Sequence, residues 1–160
     1  MVYHIGEKQS LHIVGNRIPL TCNMEENLRI VPDFWKTTLQ GSQFSEICKL
    51  SNQEPNGILG ISVYESPKEI YYYIGVATNA PAPADMYEYE IPAATWVIFE
   101  NDGHFKEDVQ SVFRRFYMEW LPFSGYKYAE LPDIEVYPIC GSQTAHGHSK
   151  VWIAIKEEDR

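Results

Sequence analysis

Basic residues are scarce in this 160-residue chain. Lys and Arg number 13 against 22 Asp and Glu, and the net charge is −9. Such a surface repels phosphate backbones, and no basic stripe or helix-turn-helix pattern offsets it, so direct nucleic-acid binding is not expected. Long apolar runs are missing as well. None approaches the ~20 residues of a membrane-spanning helix, and the N-terminal MVYHIGEKQS lacks the basic and apolar regions of a signal peptide. A cytoplasmic protein without membrane association is the expectation.

Cysteines are few: Cys22, Cys48 and Cys140, odd in number and far apart, with no Cys-x-x-Cys pair. A disulfide framework or zinc cluster is not expected. The chain carries no Ser-His-Asp order with an elbow motif, no phosphate-cradling glycine loop and no metal motif, so neither a cofactor nor a metal is expected. His146-Gly-His148 places two imidazoles close together, but the sequence offers no evident third ligand and a polar loop is the simpler reading. The segment NDGHF (101–105) reads as a helix cap rather than a catalytic loop.

Aromatic residues, by contrast, are plentiful: 11 Tyr, 7 Phe and 4 Trp, in a chain that is 44% apolar. That is enough for a real core and excludes disorder. It can also furnish a pocket that holds a flat or cationic ligand against π faces.

The pattern along the chain repeats. Residues 2–22 read as strand pieces. MEENLRIVPDFWKTTLQ then has helical spacing, with Leu28, Val31, Trp35 and Leu39 near one face. Pro32 implies a kink, or a helix that starts there. A polar stretch, 41–56, reads as a loop or short helical turn. GILGISVYE and EIYYYIGVAT read as two strands joined by Ser66-Pro67-Lys68. After the linker-like NAPAPAD (79–85) the same order returns. YEYEIPAATWVIFE is strand-like. HFKEDVQSVFRRFYMEW is the clearest helix, with Val109, Val112, Phe113, Phe116 and Trp120 on its buried face, and it stops near Leu121-Pro122. PDIEVYP and KVWIAIK are the last strands. The expected fold is α+β: two βαββ modules, roughly 1–80 and 81–160, fused into a single domain. Ile61-Ser62-Val63-Tyr64 aligns with Ile134-Glu135-Val136-Tyr137, so the repeat is broken where one half has a hydroxyl and the other a charge.

Glu135 is the residue of interest. Strand alternation puts Ile134 and Val136 on one face and Asp133, Glu135 and Tyr137 on the other. A solvated glutamate on a wet strand face is the plain reading. The alternative is one carboxylate in an aromatic pocket, where a buried charge needs a partner that a cationic ligand would supply. Tyr137 shares its strand face. Tyr73, Trp96, Tyr64 and Trp152 are the further wall candidates. Tyr71 and Tyr73 share one face of their strand and Tyr72 takes the other. Trp35 and Trp120 sit on helix faces and read as core.

YEIPAATWVIFEN, a helix ending in EWLPFSGY, then LPDIEVYP and KVWIAIK together resemble the GyrI-like domain, which is also the effector-binding part of some AraC-type and MerR-type transcription regulators. IVPDFW and ILGISVYE…YYYIGV carry the resemblance, more loosely, through the first half. The resemblance implies two βαββ units in pseudo-twofold relation, an antiparallel sheet with helices on one side, and a central cleft for small, often cationic and lipophilic molecules. By position it places Glu135 at the floor of that cleft. Nothing before Tyr3 or after Lys156 is long enough for a DNA-binding unit, so a stand-alone form is expected. ICGSQTAHGHS departs from the family in lacking acidic character. Two other readings stay open. A hydrolase of an electrophilic small molecule would use Glu135 as general base. A protein-interaction module would dock its acidic surface on a partner such as gyrase or a regulator.

Overall fold

The computed structural model describes residues 2–101, 109–138 and 149–158. Among these, nine strands form one sheet, and every pairing in it is antiparallel. In chain order the elements are β1 (Tyr3–Lys8), β2 (Leu11–Leu20), α1 (Met24–Gln40), α2 (Gln43–Lys49), β3 (Ile58–Ser66), β4 (Glu69–Ala77), β5 (Tyr87–Ile91), β6 (Ala94–Asn101), α3 (Val109–Arg115), a π-helical segment (Phe116–Trp120), α4 (Leu121–Ser124), β7 (Tyr126–Tyr128), β8 (Ile134–Tyr137) and β9 (Ser149–Glu157).

The strand order is β1-β6-β9-β8-β3-β4-β2-β5, with β7 added on β9. Read from the β8–β3 junction, the two sides mirror one another in connectivity. On one side β3, β4 and β2 follow in order, and on the other β8, β9 and β6. The α+β fold with a pseudo-twofold repeat is therefore present. The first strand of each half is exchanged, which the sequence pattern does not show: β1 pairs with β6 of the second half, and β5 pairs with β2 of the first.

Local chemistry explains the helices. Asn23 caps α1 by accepting from the backbone N–H of Glu25 and Glu26, and those two acids sit favourably at the positive end of the helix. Pro32 neither starts nor ends α1, which runs through it. The hydrogen bond it removes is to the carbonyl of Leu28, an exposed residue, where water can replace the missing donor. Helical spacing places Leu28 on the buried face, yet it is 67% exposed, because the first turns of α1 extend past the packed region. The stretch after α3 ends at Ser124, and Gly125 takes the left-handed conformation (φ 80°) that closes a helix.

The sheet has two differently covered faces. On one, Trp35 of α1, Ile47 of α2, and Val112 and Phe116 of the α3 region pack with Ile74, Val97, Phe99, Val151 and Ile153. Phe113 and Trp120 pack against the same cluster, while the side chain of Val109 lies outside the described residues. The other face carries a second core of strand residues, including Ile13, Leu59, Tyr73, Trp96, Ile134 and Trp152. These side chains are buried among strand residues rather than under α1 or α3. Helices thus lie on one side, and the central β8–β3 pair runs between the α1 and α3 halves.

Candidate functional site

Glu135 lies on β8, directly opposite Gly60 of β3, on the helix-bearing face. Two tyrosine hydroxyls donate to it. Tyr137, two residues on along the same strand, reaches Oε1 at 2.6 Å. Tyr72 of β4 reaches Oε2 at 2.9 Å. The Tyr72 oxygen accepts in turn from the indole N–H of Trp35 at 2.9 Å, so a relay runs from α1 through β4 to the carboxylate. These bonds are charge-assisted and hold Glu135 in one orientation.

Gly60 makes the arrangement fit. A Cβ at that position would stand 2.2 Å from the Tyr72 hydroxyl and 3.0 Å from the Trp35 ring. The space above β3 is therefore filled by the side chains that serve Glu135. The rings pack edge to face: Trp35 against Tyr137 with centroids 5.1 Å apart, and Phe34 against Tyr72 at 6.4 Å. Burial, followed by the charge of Glu135, holds both the Tyr72 and Tyr137 hydroxyls well above the usual tyrosine range, so both stay protonated donors.

A second carboxylate, Asp133, stands two residues before Glu135, just ahead of β8. Burial pushes it up to about 7; the Tyr128 hydrogen bond opposes that rise and the Glu135 charge adds to it. Tyr128 of β7 approaches Asp133 at 3.4 Å and donates to the Leu131 carbonyl at 3.0 Å. Its ring meets that of Tyr117, from the π-helical segment, at 6.1 Å. Segments of this type recur at functional sites. The floor of the site is thus β8, with α1 on one side and the π-helical segment and β7 on the other.

Of the residues expected from sequence, the structure brings Glu135 and Tyr137 together. Tyr64 is on the same face of β3 but is 66% exposed, near the turn into β4. Tyr73, Trp96 and Trp152 are corrected as walls around Glu135, because strand alternation turns them to the opposite face, where they are buried in the second core. Tyr72 and Trp35 take their place. Trp35 is core as expected, but its N–H also belongs to the site. A buried tryptophan carries a donor that usually finds a partner, and that is the signal its sequence position offers.

Among the described residues, no group of three or more His, Cys, Asp or Glu could hold a metal ion, and no helix is long and apolar enough to cross a membrane. His104, Cys140, His146, His148 and the ICGSQTAHGHS segment up to His148 lie outside the described residues.

The model of the GyrI-like small molecule binding domain matches residues 1–156. The chain belongs to that family. No curated protein sequence matches it. Among solved structures, SAV2435 bound to tetraphenylphosphonium aligns with a TM-score of 0.80 at 19% identity, covering 98% of this chain and 94% of that one. A Staphylococcus aureus MU50 protein assigned to bacterial transcription regulation aligns at 0.79 and 19% identity, covering 98% and 99%. The C-terminal domain of EcmrR aligns at 0.57 and 12% identity, covering 98% of each chain. At these identities the likeness is one of fold. As a GyrI-like domain the protein is a small-molecule-binding module, related in fold to the effector domains of transcription regulators.

Proposed function

We propose that this GyrI-like domain binds small, amphipathic organic cations over the β8–β3 junction, with Glu135 as the charge partner. The observation that carries the reading is the carboxylate itself, oriented by two tyrosine hydroxyls and bordered by Trp35, Tyr72 and Tyr137. A fixed negative charge set in an aromatic cluster suits a lipophilic cation. Each cation–π contact contributes roughly 0.5–2 kcal/mol, and buried apolar parts of the ligand about 25 cal/mol per Å². None of these terms needs a set donor–acceptor pattern, so recognition is tolerant of shape. The tetraphenylphosphonium bound by SAV2435, a protein of the same fold, supports this ligand class. In the cell such a domain would sense or sequester cationic xenobiotics.

Isothermal titration with tetraphenylphosphonium tests it. The wild type is expected to bind at micromolar Kd, and Glu135→Gln to weaken binding tenfold or more, about 1.4 kcal/mol. Absence of binding, or binding indifferent to Glu135, sinks the reading.

A further inference from the structure

We propose that Asp133 is a second charge-recognising residue of the same site, and that the site favours a flat organic dication over a monocation of equal shape. The inference rests on the cation-binding reading above. It starts from the strand geometry. Asp133 immediately precedes β8 and stands two residues before Glu135, and the Tyr128 it meets packs against the same helix-side core as Tyr137, so in an extended chain the two side chains start about 7 Å apart.

Each acid has its own aromatic setting. Glu135 has Tyr72, Tyr137 and Trp35. Asp133 has Tyr128 and Tyr117, whose rings meet edge to face at 6.1 Å and whose hydroxyls both feel the Asp133 charge. Thus the acid-plus-aromatic arrangement occurs twice, side by side. The two differ in how well the acid is held. Glu135 accepts from two tyrosine hydroxyls at 2.6 and 2.9 Å. The Tyr128 hydroxyl has one proton to give, and the Leu131 carbonyl at 3.0 Å is a nearer acceptor than Asp133 at 3.4 Å. Asp133 therefore keeps acceptor capacity that a ligand can use. The two carboxylates also repel each other, a cost that one bound positive charge relieves in part and two relieve more fully.

Matched probes separate this from general attraction to an acidic protein. Methyl viologen is a flat dication with its charges at opposite ends of a bipyridine. N-methyl-4-(4-methylphenyl)pyridinium has the same outline and one charge. Both are titrated calorimetrically at about pH 8, where Asp133 is largely ionised, in roughly 150 mM salt. Wild type is expected to bind the dication at least tenfold more tightly. Asp133→Asn, nearly isosteric and checked for fold by near-ultraviolet circular dichroism, is expected to cut that ratio to about twofold. Glu135→Gln should weaken both probes. Glu25→Gln removes one exposed charge elsewhere and should leave the ratio as it is.

A wild-type ratio near one, or a ratio that Asp133→Asn leaves in place, overturns the role of Asp133 while the monocation data still support Glu135. Failure of the wild type to bind either probe or tetraphenylphosphonium overturns both. An equal fall in the ratio with Glu25→Gln would mean bulk charge, and would also overturn the assignment.

Discussion

Gly60 and Glu135 face each other across the β3–β8 pair, and the side chain that Gly60 lacks is replaced by the hydroxyl that binds Glu135. A backbone position in one half of the repeat thereby shapes the charge site of the other. A residue without Cβ lets Tyr72 and Trp35 lie across β3, and Tyr72 then orients the carboxylate.

Gly60→Ala tests this directly. The new methyl would overlap the Tyr72 oxygen and press on Trp35, both buried and unable to swing into solvent. Overpacking of this kind costs about 1–3 kcal/mol. Urea denaturation should show that loss, and tetraphenylphosphonium affinity should fall with it as Tyr72 is displaced. Unchanged stability and unchanged affinity would mean that Tyr72 does not need the space over Gly60.

Much of the architecture is legible in single-strand and single-helix patterns. The helically spaced stretch MEENLRIVPDFWKTTLQ is α1 to the residue, and the two-residue strand repeat puts Tyr137 beside Glu135. What a one-strand pattern lacks is register across strands. In Tyr71-Tyr72-Tyr73 every side chain is aromatic, so alternation shows that neighbours oppose each other without showing which face meets the helices. The pattern therefore offers Tyr73 to the site as readily as Tyr72, and only the pairing of β4 with β3 and β2 decides for Tyr72. The exchange of β1 and β5 is likewise a long-range pairing, with no local signature.

The burial of Asp133 should appear in the pH dependence of stability. Its folded-state pKa, about 7, is raised above the ordinary carboxylate value. From about pH 4 to pH 7 the folded chain therefore holds a proton that the unfolded chain has lost. Stability falls as pH rises through that window and levels off above it. Among the described residues, Tyr128, Tyr117 and Glu135 are the titratable groups that face this carboxyl. Asp133→Asn removes the effect. Its stability should match wild type near pH 4 and exceed it at pH 8 by roughly 1–2 kcal/mol, a figure reduced from full proton linkage because water still reaches part of the group. Equal denaturation midpoints at pH 8 would show that Asp133 is ionised at no cost in the folded protein.

The exchanged strand β5 makes a last test, at the edge of the sheet. Among the described residues it pairs with β2 alone. Arg17 of β2 reaches over it. The guanidinium lies 4.0 Å from the Tyr71 ring centroid and 4.3 Å from that of Tyr87, donates to the Tyr73 hydroxyl at 3.1 Å and pairs with Glu65 at 3.5 Å. Tyr71 belongs to β4 and Tyr87 to β5, so one side chain ties three strands together. The Glu65 pair is partly solvated and contributes little. The two ring contacts carry about 0.5–1 kcal/mol each at such exposure. Arg17→Met should therefore cost roughly 1–2 kcal/mol, with amide exchange speeding up first in Tyr87–Ile91. Arg17→Lys should recover only part of it, because a compact ammonium lacks the planar surface with which a guanidinium can contact two rings. Full recovery by lysine would assign the effect to charge alone, and unaltered exchange in β5 would show that the ladder to β2 holds the strand without Arg17.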